Sequence, residues 1–424
     1  MSHKLAISGG NRVIDYELQP YNHIGEQEIS AVVEVMSSGN LSGYVGSWEP
    51  AFYGGPKVQE FEGNWQKFFG VKHAIAVNSW TSGLICAVGA IGVEPGDEII
   101  VSPWTMSATA TAIVHWNAIP IFADIDADDF CINPKDVIKK ITPRTRAILA
   151  VDIFGQSCKV EELNQIAKDF GIRLILDSAQ APGSKHLDAF TGTLGDIGGF
   201  SLNHHKHIHT GEGGVIVTDD DFLAERMRMI RNHAEAVLGG RPWGDKVNMI
   251  GYNFRLGEIE SAIGIAQLKK LEDLILRRVE IANKLKDGLA RIHGLKIPEV
   301  MPGNSHVYYM FPIILRLENL TVSRNEIVSA LRAEGVPGLS EGYTNLHLLP
   351  MYQEKQAYGT ANFPWSLRGD INQFNYAEGI CPIAEEFHHE TFLMIELCQF
   401  EFTDKDVQLI IESFTKVFNH FERS

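Results

Sequence analysis

The sequence predicts an α/β fold in which a mostly parallel central sheet is flanked by helices and followed by a smaller C-terminal α+β domain. The first observation is an alternation. Between residues 58 and 218, short apolar runs at 74–77, 98–101, 121–124, 147–151, 173–176 and 215–218 take turns with segments of helical spacing, the pattern that builds parallel sheets. The second is where those runs stop: Asn78-Ser79, Ser102 and Asp177 follow them directly, and ligands collect at the carboxyl ends of parallel strands. The third is a charged helical stretch at 268–292, beyond which lie a strand at 308–315, a helix at 322–334 and an amphipathic helix at 402–421. The chain divides accordingly into an N-terminal arm (1–24), a large domain (25–265) and a small domain (266–424).

Taken in order, Leu5 to Gly10 reads as a short strand and turn, and Ile29, Val32, Val33 and Met36 make 25–36 a helix with its acidic residues early. The following loop, rich in Gly and aromatics through Tyr44, Trp48, Phe52 and Tyr53, exceeds the roughly 15 residues that usually mark a functional or mobile segment. It reads as an active-site wall. A helix over 58–69 leads to the strand at 74–77 and then to Asn78-Ser79-Trp80-Thr81-Ser82-Gly83. Small polar residues between a strand and a helix N-terminus form an anion site, because unpaired N–H groups and the helix dipole face the ligand; plain capping by Ser79 or Thr81 explains the same residues. After 98–101 comes Ser102-Pro103-Trp104-Thr105-Met106, where a Trp is ordinarily core. Helix, strand and helix run to 141, then 147–151, an amphipathic stretch at 163–170, and 173–176 entering Asp177-Ser178-Ala179-Gln180. Asp177 there either caps the next turn or meets a ligand. A basic helical run at 223–231, a polar Gly/Trp segment to 245 and a helix over 258–271 follow, while 345–381 is irregular.

With 424 residues, 45% hydrophobic and 21% charged, the chain is ordinary for a soluble enzyme with a substantial core. A net charge of −16 argues against nonspecific nucleic-acid binding. Five scattered cysteines without a CxxC pair suit a reducing compartment. No signal-peptide core and no apolar run of about 18 residues is present, so a cytoplasmic protein without a membrane span is expected.

The most informative stretch is Phe200-Ser201-Leu202-Asn203-His204-His205-Lys206-His207-Ile208-His209-Thr210-Gly211-Glu212-Gly213-Gly214. It holds one lysine on a short connection between sheet elements, where burial or neighbouring positive groups turn an amine into a carbonyl nucleophile. Four histidines surround it. A solvated surface lysine and a metal site are the alternatives; no Cys or carboxylate stands at ligand spacing for a metal.

Ser201, Lys206 and the Thr-Gly-Glu-Gly-Gly tail, with Asp177-x-Ala-Gln180, resemble the DegT/DnrJ-type sugar aminotransferase family of fold-type-I, pyridoxal-phosphate (PLP)-dependent enzymes. The likeness runs from about residue 25 to the end of the chain. It implies PLP as cofactor and Lys206 as the Schiff-base lysine and proton carrier. Asp177 would hold the pyridine nitrogen protonated, Gln180 would lie near the phenolic oxygen, and Trp104 would lie against the ring. Ser201 and Thr81 would hold the phosphate with the Ser79-Trp80-Thr81 turn, where Trp80 replaces the family's usual Gly. Gly251-Tyr252-Asn253-Phe254-Arg255-Leu256 matches a further motif, by which Asn253 would reach the cofactor phosphate of a neighbouring subunit, implying a homodimer with shared active sites.

The activity implied is transfer of an amino group from glutamate or glutamine to a keto sugar, nucleotide-linked in most of the family. A keto-inositol, which the Leu5–Gly10 stretch suggests, or a small keto phosphate stays open as acceptor. One family branch carries His at the lysine position and removes a hydroxyl instead; the spacing from Ser201 and Gly211 places Lys206 there and favours transamination. A binding protein of the same fold without catalysis is the remaining alternative, and intact Lys206, Asp177 and Gln180 argue against it.

Overall fold

The structure, a computed structural model, describes residues 4–234 and 249–423; most of the polar Gly/Trp segment expected before 245 lies outside the described residues. Nine strands come first: β1 His73–Val77, β2 Glu98–Val101, β3 Ile119–Phe122, β4 Thr145–Val151, β5 Arg173–Asp177, the short pair β6 Lys185–His186 and β7 Ala189–Phe190, β8 Ile197–Ser201 and β9 Gly214–Thr218. Among the described residues, seven form one sheet in the order β1-β9-β8-β5-β4-β2-β3. Only β9 is reversed, running antiparallel to both β1 and β8. The strands are buried along nearly their whole length, as a sheet covered on both faces requires. Helices α1 Glu26–Ser38, α2 Pro56–Phe69, α3 Trp80–Ala90, α4 Ala108–His115, α5 Pro134–Lys140, α6 Val160–Phe170, α7 Asp221–Arg231 and α8 Glu258–Leu268 accompany it.

The long helix α9 Leu271–Leu289 then leads to a four-stranded antiparallel sheet, β10 Leu295–Lys296, β11 Met310–Leu315, β12 Leu339–Ser340 and β13 Phe392–Glu396, in the order β10-β11-β13-β12. Two more helices, α10 Arg324–Glu334 and α13 Asp404–Phe421, both begin in capping boxes, Ser323 with Glu326 and Thr403 with Asp406. Short helices α11 Pro350–Gln353 and α12 Pro382–Glu386 lie between them.

Four expectations are corrected. Leu5 to Gly10 is a 3-10 turn over Ala6–Ser8 that ends on Gly9 at φ 89°, and its backbone is tied to Glu334 of α10. The run at 121–124 pairs two residues earlier as β3, because Asp124 is engaged elsewhere, accepting hydrogen bonds from the Ile383 and Ala384 N–H groups. The helix expected over 258–271 ends at Leu268, and a new helix starts at Leu271. The irregular region 345–381 is not loose: Leu346, Tyr352, Trp365, Phe374 and Tyr376 join the core of the large sheet, with the Tyr376 hydroxyl donating to Pro120 O at 2.8 Å. Packing therefore cuts across the boundary at 265, since residues 346–376 lie with the large sheet while Leu5 and Ile14 lie in the C-terminal core.

One buried ion pair closes the sheet's edge. Arg231, fully buried at the end of α7, donates to Glu62 Oε1 of α2 at 2.6 Å and to Ala76 O of β1 at 3.0 Å. Its guanidinium lies 5.0 Å from the Tyr44 ring centre, and Asn232 donates to Val45 O and Phe52 O. The aromatic loop is thereby pinned to α7. Arg231→Ala leaves the Glu62 carboxylate buried without its partner, so we expect a loss of about 3–5 kcal/mol in urea denaturation. A loss below about 1 kcal/mol, the scale of a solvent-exposed pair, would contradict this.

Candidate active site

Lys206, Asp177, Gln180 and Ser201 converge on one cavity of about 190 Å³ at the carboxyl ends of β5 and β8. Register explains the convergence: Asp177 is paired with Gly199 across β5 and β8, and the chain leaves β8 at Ser201 to reach Lys206 five residues later. Ser79, Trp80 and Thr81 at the start of α3 close one side, and Thr105, Met106 and Thr109 another.

Lys206 is 7% exposed, and its Nζ lies 4.1 Å from the Tyr309 ring centre. Burial lowers its pKa to about 8, with Asp177 and Cys398 pulling the other way. The histidines are not the cause. Only His205 lines the cavity, and its own pKa falls to about 4 through burial and then the neighbouring Lys206 charge. His207 is buried with Nε2 at 2.8 Å from Val307 O, and His209 packs edge-on against His23. Among the described residues no group of three His, Cys, Asp or Glu is placed to hold a metal ion.

The depressed lysine has a consequence for stability. The unfolded chain keeps the amine protonated up to its ordinary value of roughly 10.4, so between about pH 8 and there it binds more protons than the folded chain, and stability rises with pH. Below that window the buried ammonium burdens the fold. Cofactor-free Lys206→Met is expected to melt above wild type at pH 7, by a margin constant below pH 8 and closing above it. A margin that does not change up to pH 10 would mean an amine with an ordinary pKa.

Asp177 is 4% exposed; burial raises its pKa, opposed by three hydrogen bonds and by Lys206. Trp80 Nε1 donates to Oδ1 at 2.7 Å, Thr109 Oγ1 to Oδ2 at 2.8 Å, and the Ala179 N–H to Oδ1 at 3.2 Å. Gln180 Oε1 accepts from the Phe154 N–H at 2.7 Å, and its Nε2 donates to the Tyr343 hydroxyl at 2.8 Å. Burial pushes that phenol up to about 12.

At the head of α3, Ser79 Oγ accepts from the Ser82 N–H and Ser79 O from the Gly83 N–H. The N–H groups of Trp80 and Thr81 have no acceptor within the helix, as first-turn geometry dictates. The loop's glycines bring backbone close to them: a Cβ at Gly214 would lie 2.7 Å from Trp80 N. These residues fit pyridoxal phosphate. Free N–H groups with the Ser79, Thr81 and Ser201 hydroxyls suit a phosphate. A partly neutral amine suits an aldehyde, and Asp177 Oδ2 keeps one acceptor site for a protonated ring nitrogen.

Two expected site residues are not brought to this cavity. Trp104 is fully buried among Phe130, Phe154, Phe387 and Phe392, with its indole N–H donating to Tyr343 O, so it is core rather than a ring platform. Of this segment Thr105 and Met106 line the cavity, and Met106, 58% exposed, is the larger. Asn253 is exposed and does not line the cavity of its own chain. No residue from 43 to 53 lines it either; that loop is held against α7. Residues that sequence reading missed are Thr109, Tyr309 and Tyr343. Thr109 has a signal, sitting four residues after Thr105, whereas the two tyrosines arrive from more than 100 residues away and have none.

The description of a known family matches this geometry: the DegT/DnrJ/EryC1/StrS aminotransferase family model covers residues 22–369. The spore coat polysaccharide biosynthesis protein SpsC of Bacillus subtilis (strain 168) is 36% identical over 347 residues, 80% of this chain and 86% of SpsC. GDP-perosamine synthase of Vibrio cholerae is 33% identical over 318 residues, 74% of this chain and 84% of that protein. The solved structure of Helicobacter pylori PseC, an aminotransferase involved in the biosynthesis of pseudoaminic acid, matches with a TM-score of 0.79 at 27% identity, covering 96% of this chain and 100% of that one. Similarity of this extent shows that the chain belongs to the DegT/DnrJ/EryC1/StrS aminotransferase family and is a pyridoxal-phosphate-dependent aminotransferase.

Proposed function

We propose that this enzyme transfers an amino group from glutamate or glutamine to a nucleotide-linked keto sugar. The observation that carries the reading is the pairing of a buried, low-pKa Lys206 with the buried Asp177 carboxylate across one cavity. Bound PLP supplies an electrophilic aldehyde and an electron-withdrawing pyridinium ring. Lys206 Nζ would be the amine that binds that aldehyde and would carry a proton as general base and acid, roles suited to an amine whose pKa burial lowers to about 8. Asp177 would accept a hydrogen bond from the protonated ring nitrogen, and the Trp80 and Thr81 N–H groups would hold the phosphate. The acceptor class is supported by the relatives, one a GDP-perosamine synthase and one named for spore coat polysaccharide biosynthesis.

The enzyme works as a homodimer with shared sites in this reading. Asn253, exposed and outside its own cavity, is free to serve a neighbouring subunit's cofactor, and α1 carries the exposed apolar stripe Ile29, Val33 and Met36. A cytoplasmic location accords with five buried free cysteines; among the described residues no helix is long and apolar enough to cross a membrane.

The test is to load purified protein with PLP, add glutamate or glutamine separately, and follow conversion of the cofactor's absorbance to that of the pyridoxamine form. Nucleotide-linked keto sugars, keto-inositols and keto phosphates are then offered to the converted enzyme. Return of the pyridoxal spectrum with a nucleotide-linked keto sugar is expected. Return only with a keto-inositol or keto phosphate would replace the acceptor, and no conversion by either donor would remove both from the reading.

A further inference from the structure

Trp80 stands in the first turn of α3 with its indole inside the fold, 5% exposed, and the six-membered ring of that indole closely approaches two glycines. A Cβ at Gly199 of β8 would lie 2.1 Å from Cζ3 of that ring, and one at Gly83 would lie 2.6 Å from Cε3. Neither glycine has a positive φ, so close approach rather than backbone conformation accounts for them. The slot is thus matched to a large flat side chain.

A phenyl ring would also occupy much of the slot. What tryptophan alone adds is the N–H at its edge, and that N–H meets Asp177 Oδ1 at 2.7 Å, a charge-assisted contact in a buried setting. Thr109 holds the other oxygen at 2.8 Å. The two donors come from different helices, α3 and α4, so together they fix both the position and the rotation of the carboxyl plane. One acceptor site on Oδ2 stays available.

We propose that Trp80 is a positioning residue for Asp177: slotted over Gly83 and Gly199, its indole N–H keeps the carboxylate ionised and oriented toward the cofactor's ring nitrogen. A carboxylate taken out of water tends to pick up a proton, and donors to its charged form oppose that. Burial raises the Asp177 pKa, while Thr109 and Trp80 are the leading opposing influences. Removing the indole donor therefore moves the shared proton from the ring nitrogen toward Asp177 and weakens the ring's pull on electrons. The inference concerns the cofactor and holds whichever keto acceptor is used.

The test has an arm without cofactor and an arm with it. In cofactor-free protein labelled with 15N at tryptophan Nε1, the Trp80 resonance is identified by its loss in Trp80→Phe, and it is expected to move in Asp177→Asn, where the acceptor's charge is gone. An unmoved resonance overturns the proposal. In the second arm, PLP labelled with 15N in its ring is bound to wild type, Trp80→Phe and Gly199→Ala. Both variants are expected to lower the pH at which the ring nitrogen loses its proton by about one pH unit and to raise the PLP Kd in equilibrium dialysis about tenfold, the scale of one hydrogen bond to a charged group. Gly199→Ala tests the same step with the indole retained but pushed from its slot. A raised Kd with an unchanged ring-nitrogen titration in both variants would make Trp80 a packing residue only and overturn the proposal. If Trp80→Phe fails to fold by circular dichroism, Gly199→Ala and the indole shift in Asp177→Asn, with that resonance assigned sequentially, decide. Failure of wild type to bind PLP would count against the enzyme assignment, and the cofactor-free arm would still decide the bond.

Discussion

Lys206→Ala is expected to lower amino transfer by at least about 10⁴-fold, the upper range for one positioned acid–base group, because the same amine also attaches the cofactor. The environment allows no substitute. Lys206 Nζ faces the Tyr309 ring at 4.1 Å, and the neighbouring cavity histidine, His205, is held neutral at physiological pH by burial. Its lone pair is available, yet it has no amine with which to bind an aldehyde. Single-turnover assays with donor alone and with acceptor alone should both collapse, while the melting temperature should not fall, since a buried ammonium has been removed. A small primary amine added at high concentration should restore part of the rate. Retention of even a hundredth of the wild-type rate in the absence of such an amine would rule out Lys206 as the proton carrier.

Asp177→Asn is expected to cost about two to three orders of magnitude in kcat, the scale on which enzymes lose rate when one preorganised electrostatic partner is removed. The substitution keeps shape. An asparagine Oδ1 still accepts from Trp80 Nε1, now 2.7 Å away, and its Nδ2 can donate to Thr109 Oγ1 in place of the contact at 2.8 Å. What is lost is the negative charge that keeps the ring nitrogen protonated. The loss should therefore appear in kcat at saturating substrate far more than in KM, with folding intact by circular dichroism. A wild-type kcat in this variant would remove Asp177 from the chemistry. A proportionate rise in KM with kcat unchanged would move it to ground-state binding.

Legibility followed the length scale of the interaction. The positions of β1, β2, β4, β5 and β9 came from periodicity, because each of these strands is largely buried and reads as a short apolar run. The run at 121–124 was misplaced by two residues because Asp124, its last residue, is occupied by N–H groups some 260 residues away. Lys206, Ser201 and Gln180 were singled out by motifs that resemble a known family, and a tight loop and a strand end bring them to one cavity. Trp104 was misassigned for the converse reason: its motif position suggested a ring platform, and only the packing of Phe130, Phe154, Phe387 and Phe392 places it in the core.

The sequence by itself determined the fold class, through hydrophobic period, and its motifs in one loop and one strand end singled out Lys206 and Asp177 by their resemblance to a known family. The tertiary structure decided what surrounds them. Burial, not the adjacent histidines, depresses the lysine. From the C-terminal half Tyr343 lines the cavity and Tyr309 packs against Lys206, and the Trp80 indole turns inward to a carboxylate 97 residues away because two glycines leave room for it. Such contacts depend on distance in space, and no local pattern in a chain encodes which distant side chain will arrive.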